Sequence, residues 1–140
     1  MSMNQVIASV LVGTIVYVIT KFYLDNILQQ WKLRASIAFN LTFYANIYCA
    51  SIVNDDLIQP VSDKFRELSA RLSSTITIIP GYKWFELVHF VIKSEDIKKA
   101  ARLLMSISNS IRPAAGETKN YNAEENKKNA EEVEKLLKIK

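Results

Sequence analysis

One histidine, His89, and one cysteine, Cys49, limit the chemistry open to this 140-residue chain. Nucleophilic catalysis needs a hydroxyl or thiol beside a base that a third group orients, and a lone imidazole next to Phe90 nominates no such set. His89 reads most simply as a core or interface residue. One Cys and one His also fall short of the ligands of a structural zinc site. A lone cysteine forms no intrachain disulfide, so no oxidising compartment is implied. The scattered glycines build no phosphate-cradling loop, and no spaced carboxylate pair appears. The expectation is a protein that is not an enzyme and needs no metal or cofactor.

Two constellations remain. Lys93, Lys98, Lys99 and Arg102 gather at the start of a predicted helix, and helix starts attract anions, so they form a candidate contact for a phosphate or a nucleotide-type regulator. Such runs are more often solvated faces, and that plainer reading stands beside it. Gln5, Ser9, Gly13, Val16 and Thr20 recur at helical steps along one face of an apolar segment. Ser9 and Gly13 permit close approach of two helices, a small-xxx-small contact. The sharper reading is a polar stripe lining a narrow pore in a ring of such helices. Both require a homo-oligomer. The net charge of +4 is too small a basic excess for a protein that reads duplex nucleic acid.

The element that must carry the second constellation is residues 6–24, which hold no charged side chain before Lys21. About 20 apolar residues at 1.5 Å each match the roughly 30 Å hydrocarbon core of a bilayer. Backbone amides in lipid must bond within their own segment, so such a run spans as a helix. Phe22, Tyr23 and Trp31 lie nearby as interfacial anchors. A basic n-region is missing and the apolar run is long for a cleaved signal, so retention as an anchor is expected. Lys21, Lys32 and Arg34 follow the segment and no basic residue precedes it, which predicts an N-terminus outside and the remainder in the cytoplasm.

Beyond the anchor no Pro or Gly interrupts the chain before Pro60, which predicts one long helix closed at Asn54, Asp55 and Asp56. Leu24, Leu28, Trp31, Ala35, Ala38, Thr42, Ala45, Cys49 and Ile52 step by three and four, the spacing of a coiled-coil seam. Asn40, Tyr44 and Asn46 are placed to set its register. Residues 35–53 lack charge; a buried central helix is preferred over a second span because Asn40, Thr42 and Asn46 are costly in lipid. Pro60 suits a helix start. Val61, Phe65, Leu68, Leu72, Ile76 and Ile79 form one stripe, with Asp63 and Glu67 set to pair with Arg66 and Arg71, and Pro80–Gly81 ends the helix. Residues 82–92 read as a short buried helix or one resting on a membrane surface with Trp84 and Phe85 inserted. Ser94 reads as an N-cap, opening a helix that turns Ile97, Ala100, Ala101, Leu104, Ser108 and Ile111 inward. A polar linker at 112–122 leads to a charged helix at 123–140, marginal alone, with a thin stripe of Ala123, Ala130, Val133 and Leu137. The expected architecture is all-α: an anchor at 1–24, a cytosolic helical bundle at 25–111, a linker and a charged tail.

Residues 41–46 (LTFYAN), 65–72 (FRELSARL), 79–80 (IP) and 103–110 (LLMSISNS) resemble a group of small bacterial proteins with one N-terminal membrane helix, a helical cytosolic domain and no assigned activity. The resemblance covers roughly residues 35–111 and implies a bacterial inner-membrane location. Proteins of this architecture are often membrane-acting effectors of phage defence, which the resemblance makes an expectation here. Two functions follow: a homo-oligomer whose assembled spans perforate or depolarise the membrane, or a non-conducting anchor that holds a partner protein at the bilayer.

Overall fold

The computed structural model describes residues 2–49, 55–112 and 122–139. The linker, apart from Arg112 and Asn122, and seam residue Ile52 lie outside them. The fold is all-α. Helix α1 (Met3–Ile19) passes through a π turn (Thr20–Leu24) into α2 (Asp25–Phe43), so Met3–Phe43 is one continuous helix of 41 residues. At 1.5 Å per residue it is about 60 Å long. Its start is closed reciprocally: the Ser2 N–H donates to Gln5 Oε1 at 2.9 Å, and the Ser2 carbonyl takes the first helical amides. No residue of α1 is buried, and this is the one described helix long and apolar enough to cross a membrane.

The long helix stops earlier than the sequence pattern predicts. Tyr44 leaves helical geometry (φ −98°, ψ 11°), and the short α3 (Ala45–Tyr48) follows as a separate turn of helix. No Pro or Gly forces this break. The turn instead lets Tyr44 and Tyr48 pack their rings edge-on to Phe65, with centroids 6.2 and 5.6 Å away, while the Tyr48 hydroxyl donates to Leu41 O at 2.8 Å.

Helices α2, α4 (Asp55–Ile78), α6 (Ser94–Ile111) and α7 (Ala123–Leu136) run alternately up and down. The pairings fix the directions. Gln30 meets Thr75 and Asn26 meets Ile78 across α2 and α4; Ser62 meets Ser108 and Ser69 meets Ala101 across α4 and α6; Lys99 meets Glu132 and Ser106 meets Asn129 across α6 and α7. The predicted stripe of α4 is buried at Val61, Phe65, Leu68, Leu72 and Ile79, with Ile76 half-buried. The six residues predicted to face inward on α6 are all buried, joined by Ile107. Val133 of α7 and Leu137 at its C-cap enter the same core as Phe65 and Leu104, so the charged tail finds a firm seat within its own chain. Each such side chain taken out of water contributes about 1.5–3 kcal/mol.

Several local expectations shift. The buried face of α2 is Ile27, Gln30, Leu33, Ile37, Asn40 and Leu41, one residue out of phase with the predicted seam. Leu24, Leu28, Trp31, Ala35 and Thr42 are exposed within the chain, as is Asn46, while Asn40 donates back to Ser36 O at 2.7 Å. The period was right and the phase wrong: Ile27, Leu33, Ile37 and Leu41 enter the core, with Gln30 and Asn40 hydrogen-bonded among them. Helix α4 begins at Asp55, which leaves Pro60 inside it rather than at its start. Glu67 pairs with Arg71 as expected, at 3.2 Å, but its second partner is Lys64 at 2.9 Å. Asp63 approaches Arg112 at 3.9 Å, and Arg66 donates to Asn109 instead of a carboxylate.

Between α4 and α6 lies α5 (Tyr82–Leu87), entered through Gly81 at φ 67°. It closes with His89 at φ 63°: the His89 N–H donates to Glu86 O and the Phe90 N–H to Phe85 O, the Schellman pattern. Helix α7 ends the same way, with Lys138 at φ 52° and amide bonds from Lys138 to Lys135 O and from Ile139 to Glu134 O. Both left-handed positions carry a side chain where glycine is unstrained. His89→Gly and Lys138→Gly are each expected to raise the stability of the full chain by about 1 kcal/mol, the relief of left-handed strain less the backbone entropy of glycine. Denaturant midpoints in detergent check this, and lowered midpoints for both variants would contradict the strain assignment.

Candidate functional site

The face Gln5, Ser9, Gly13, Val16 and Thr20 is exposed along its whole length on α1 and the first residue of the π turn. Its polar atoms are partly satisfied within the helix. Ser9 Oγ donates to Gln5 O at 2.9 Å, and Gln5 Oε1 accepts the Ser2 amide. Thr14, outside this face, returns its hydroxyl to Val10 O in the same manner. Such back-bonding lets hydroxyls sit in an apolar medium without a partner helix. A Cβ built on Gly13 meets nothing within 4 Å, so the small residue there is not required by the packing of its own chain.

The basic cluster divides. Lys98 and Arg102, one turn apart on α6, line a shallow groove of about 400 Å³ with Ser69, Ser73, Ala101 and Met105. Lys99 points toward α7 and pairs with Glu132 at 2.8 Å. Lys93 is the N-cap residue of α6, and Ser94, read from the sequence as the cap, is already the first helical residue. The capping acceptor comes from α5: Glu86 Oε2 takes the Ser94 N–H at 3.2 Å. A carboxylate thus already occupies the positive end of α6, and of the cluster Lys98 and Arg102 are the two that share the groove. Among the described residues no group of His, Cys, Asp and Glu is arranged to hold a metal ion. His89 is exposed on the turn after α5, not in the core, with Nδ1 3.0 Å from Leu87 O. Cys49 lines a second groove with Lys127 and Glu131, and burial pushes its thiol pKa up, away from a reactive thiolate.

Sequence reasoning missed the residue that joins the exposed arm to the bundle. Gln30 is fully buried one to two turns past the π turn. Its amide donates to the Tyr82 hydroxyl at 2.8 Å and lies 3.4 Å from Thr75 Oγ1, and its carbonyl accepts the Ile92 N–H at 3.4 Å. The Tyr82 hydroxyl donates in turn to Ile92 O at 2.6 Å, and the Thr75 hydroxyl to Leu72 O at 2.7 Å. One side chain of α2 therefore holds α4, α5 and the strand of chain entering α6. A glutamine on a helix read for apolar periodicity gives no sign of this, because its partners are 45 to 62 residues away.

At the other side of the bundle, Arg34 Nη2 donates to Lys138 O at 2.9 Å, placing a cation at the negative end of α7. Asn126, fully buried, donates to Tyr48 O at 2.9 Å. Compared with protein-family models, with curated proteins and with solved structures, the chain matches none. The geometry therefore carries the functional reading.

Tyr48 and Tyr82 both have phenol pKa values raised, chiefly by burial. The unfolded phenol ionises near pH 10, so these groups contribute stability in full below about pH 10 and lose it as the pH rises toward their folded values. Stability is expected to fall through the alkaline range. A Tyr48→Phe/Tyr82→Phe variant should start less stable at neutral pH, by about 1 kcal/mol per lost hydrogen bond, and decline less steeply. Parallel slopes for the two proteins in alkaline denaturant titrations would contradict the assignment.

Proposed function

We propose that the chain is a homo-oligomeric, single-pass membrane protein of the bacterial inner membrane, not an enzyme, whose associated spans depolarise the bilayer. In this reading α1 and the π turn cross the hydrocarbon, the N-terminus lies outside, and the bundle stands in the cytoplasm. Lys21, Lys32 and Arg34 on the bundle side support that orientation. The observation that carries the proposal is the unbroken helix from Met3 to Phe43. A tether needs only a flexible linker. Here the bare arm continues without a break into the core-forming helix, so a rearrangement of the bundle turns or tilts the span directly. The groove at Lys98 and Arg102 suits an anionic, nucleotide-type trigger, and the resemblance to small inner-membrane proteins supports a place among anti-phage effectors.

A second reading, a non-conducting anchor for a partner protein, is favoured by one observation: Ser9 and Gln5 direct polar atoms into their own helix, as packing helices do, rather than into a lumen. Expression of the full chain in cells loaded with a potential-sensitive dye separates the two. The pore reading expects rapid depolarisation, lost in Gly13→Leu and retained in Val12→Leu. Because a side chain at Gly13 meets no atom of its own chain, a loss there reports contact between chains and not misfolding. Unchanged potential on expression of the parent chain would leave the anchor. A reporter fused after Lys140 is expected to be active only in its cytoplasmic form, and a periplasmic signal would overturn the orientation.

A further inference from the structure

The last turn of α4, helix α5 and the turn into α6 leave an apolar patch open at one end of the bundle. Trp84 is 75 % exposed, Leu87 70 %, Phe90 58 %, Val88 57 % and Ile78 49 %, while Tyr82, Val91 and Ile92 of the same segment are buried. We propose that this patch docks on the bilayer surface, with Trp84 and Leu87 entering the boundary between headgroups and acyl chains; the proposal rests on the reading of α1 as a span.

The height of the patch along the long helix supports lipid as its occupant. A hydrocarbon core of about 30 Å takes up about 20 residues, and the headgroup layer adds roughly 5–8 Å on each side, or about three to five residues more. With the apolar run ending at Leu24, that layer covers the first turn of α2. The patch is fastened there. Phe85 packs its ring 5.5 Å from Tyr23, Asn26 Nδ2 lies 3.5 Å from Ile78 O, and Ile27 is buried among Ile79, Tyr82 and Val91. Phe85, expected from the sequence to insert, is the residue that holds the patch to the helix, and the outward residues are Trp84 and Leu87.

The chemistry of the segment suits an interface. Tryptophan, apolar in body with one N–H, concentrates at headgroup level. At the C-terminal end of α5, beside Leu87 and Val88, the bonds from His89 and Phe90 to Glu86 and Phe85 pair backbone groups that would otherwise face lipid bare. The Phe90 carbonyl accepts from Trp31 Nε1 at 3.3 Å. Lys83 and Lys93 flank the patch and are exposed, whereas the acidic residue between them, Glu86, is turned to the Ser94 amide. Within residues 82–93 the exposed charges are therefore basic and complementary to anionic headgroups, with the exposed Glu95 following on α6. Two attachments, the span and the patch, would fix both tilt and rotation of the bundle over the membrane.

Tryptophan quenching in vesicles of mixed zwitterionic and anionic lipid tests this with the full chain. In Trp31→Phe, Trp84 is the sole tryptophan, and its emission is expected to shift blue and to be lost to lipids brominated near the headgroup. Emission that stays accessible to aqueous acrylamide and untouched by bromolipid would overturn the docking. Shielding from both quenchers would equally overturn it and place a second protein copy on the patch. A second reporter, Val12→Trp in a Trp31→Phe/Trp84→Phe background, reads the span by itself. If lipids brominated deep in the chains fail to quench it, the span reading fails. If they quench it while Trp84 stays in water, the docking alone fails.

Discussion

The buried amide of Gln30 is the constraint on which the arrangement of this chain turns. An amide taken from water without partners costs a few kcal/mol, so its donors and acceptor must be met by atoms at fixed positions. Tyr82, Thr75 and the Ile92 amide meet them, and each is tied in turn to a backbone carbonyl or to the side chain itself. Sliding α4 or α5 along α2 would break several of these bonds together. The register between the first helix and the rest of the bundle is thereby set next to the π turn, where the bare arm begins.

Polar groups do the same work elsewhere between helices. Ser62 and Ser108 face each other at 2.9 Å and each also donates to the other's carbonyl, while Ser69 donates to Ala101 O at 2.7 Å. Small side chains at these crossings bring α4 and α6 close, and the hydroxyls select one register among those that an apolar interface alone would tolerate. Asn126 and Arg34 hold α7 through the backbone carbonyls of Tyr48 and Lys138. Helix α7, with few apolar residues of its own, is thus located by directional bonds as much as by burial of Val133 and Leu137.

These two patterns leave the molecule with a stiff bundle and a bare apolar arm joined by five residues in π geometry. A π turn widens the helix and changes the phase of the face that follows it. The face of α1 that carries Ser9 and Gly13 and the face of α2 that carries Ile27 and Gln30 are related through that turn. Lys21 pairs with Asp25 across it at 3.4 Å.

What the sequence determined by itself is whatever depends on neighbours three or four residues away. The apolar helical arm, the buried stripe from Val61 to Ile79 and the inward set of α6 all follow from helical period and are found in the structure. The candidate face from Gln5 to Thr20 was legible for the same reason, since its residues share one helix. What only the tertiary structure decided depends on partners far along the chain. The phase of α2 turned by one residue because Ile27, Ile37 and Leu41 had a core to enter, with Gln30 and Asn40 satisfied among them. The break at Tyr44 arose from the room beside Phe65, and the cap of α6 came from Glu86 of another helix instead of from Ser94. The basic cluster was split because Lys99 found Glu132 on α7, a residue whose position only packing could supply. Helical period reports which residues share a face, but the choice of which face is buried depends on the apolar area and hydrogen-bond partners that the rest of the fold brings to it.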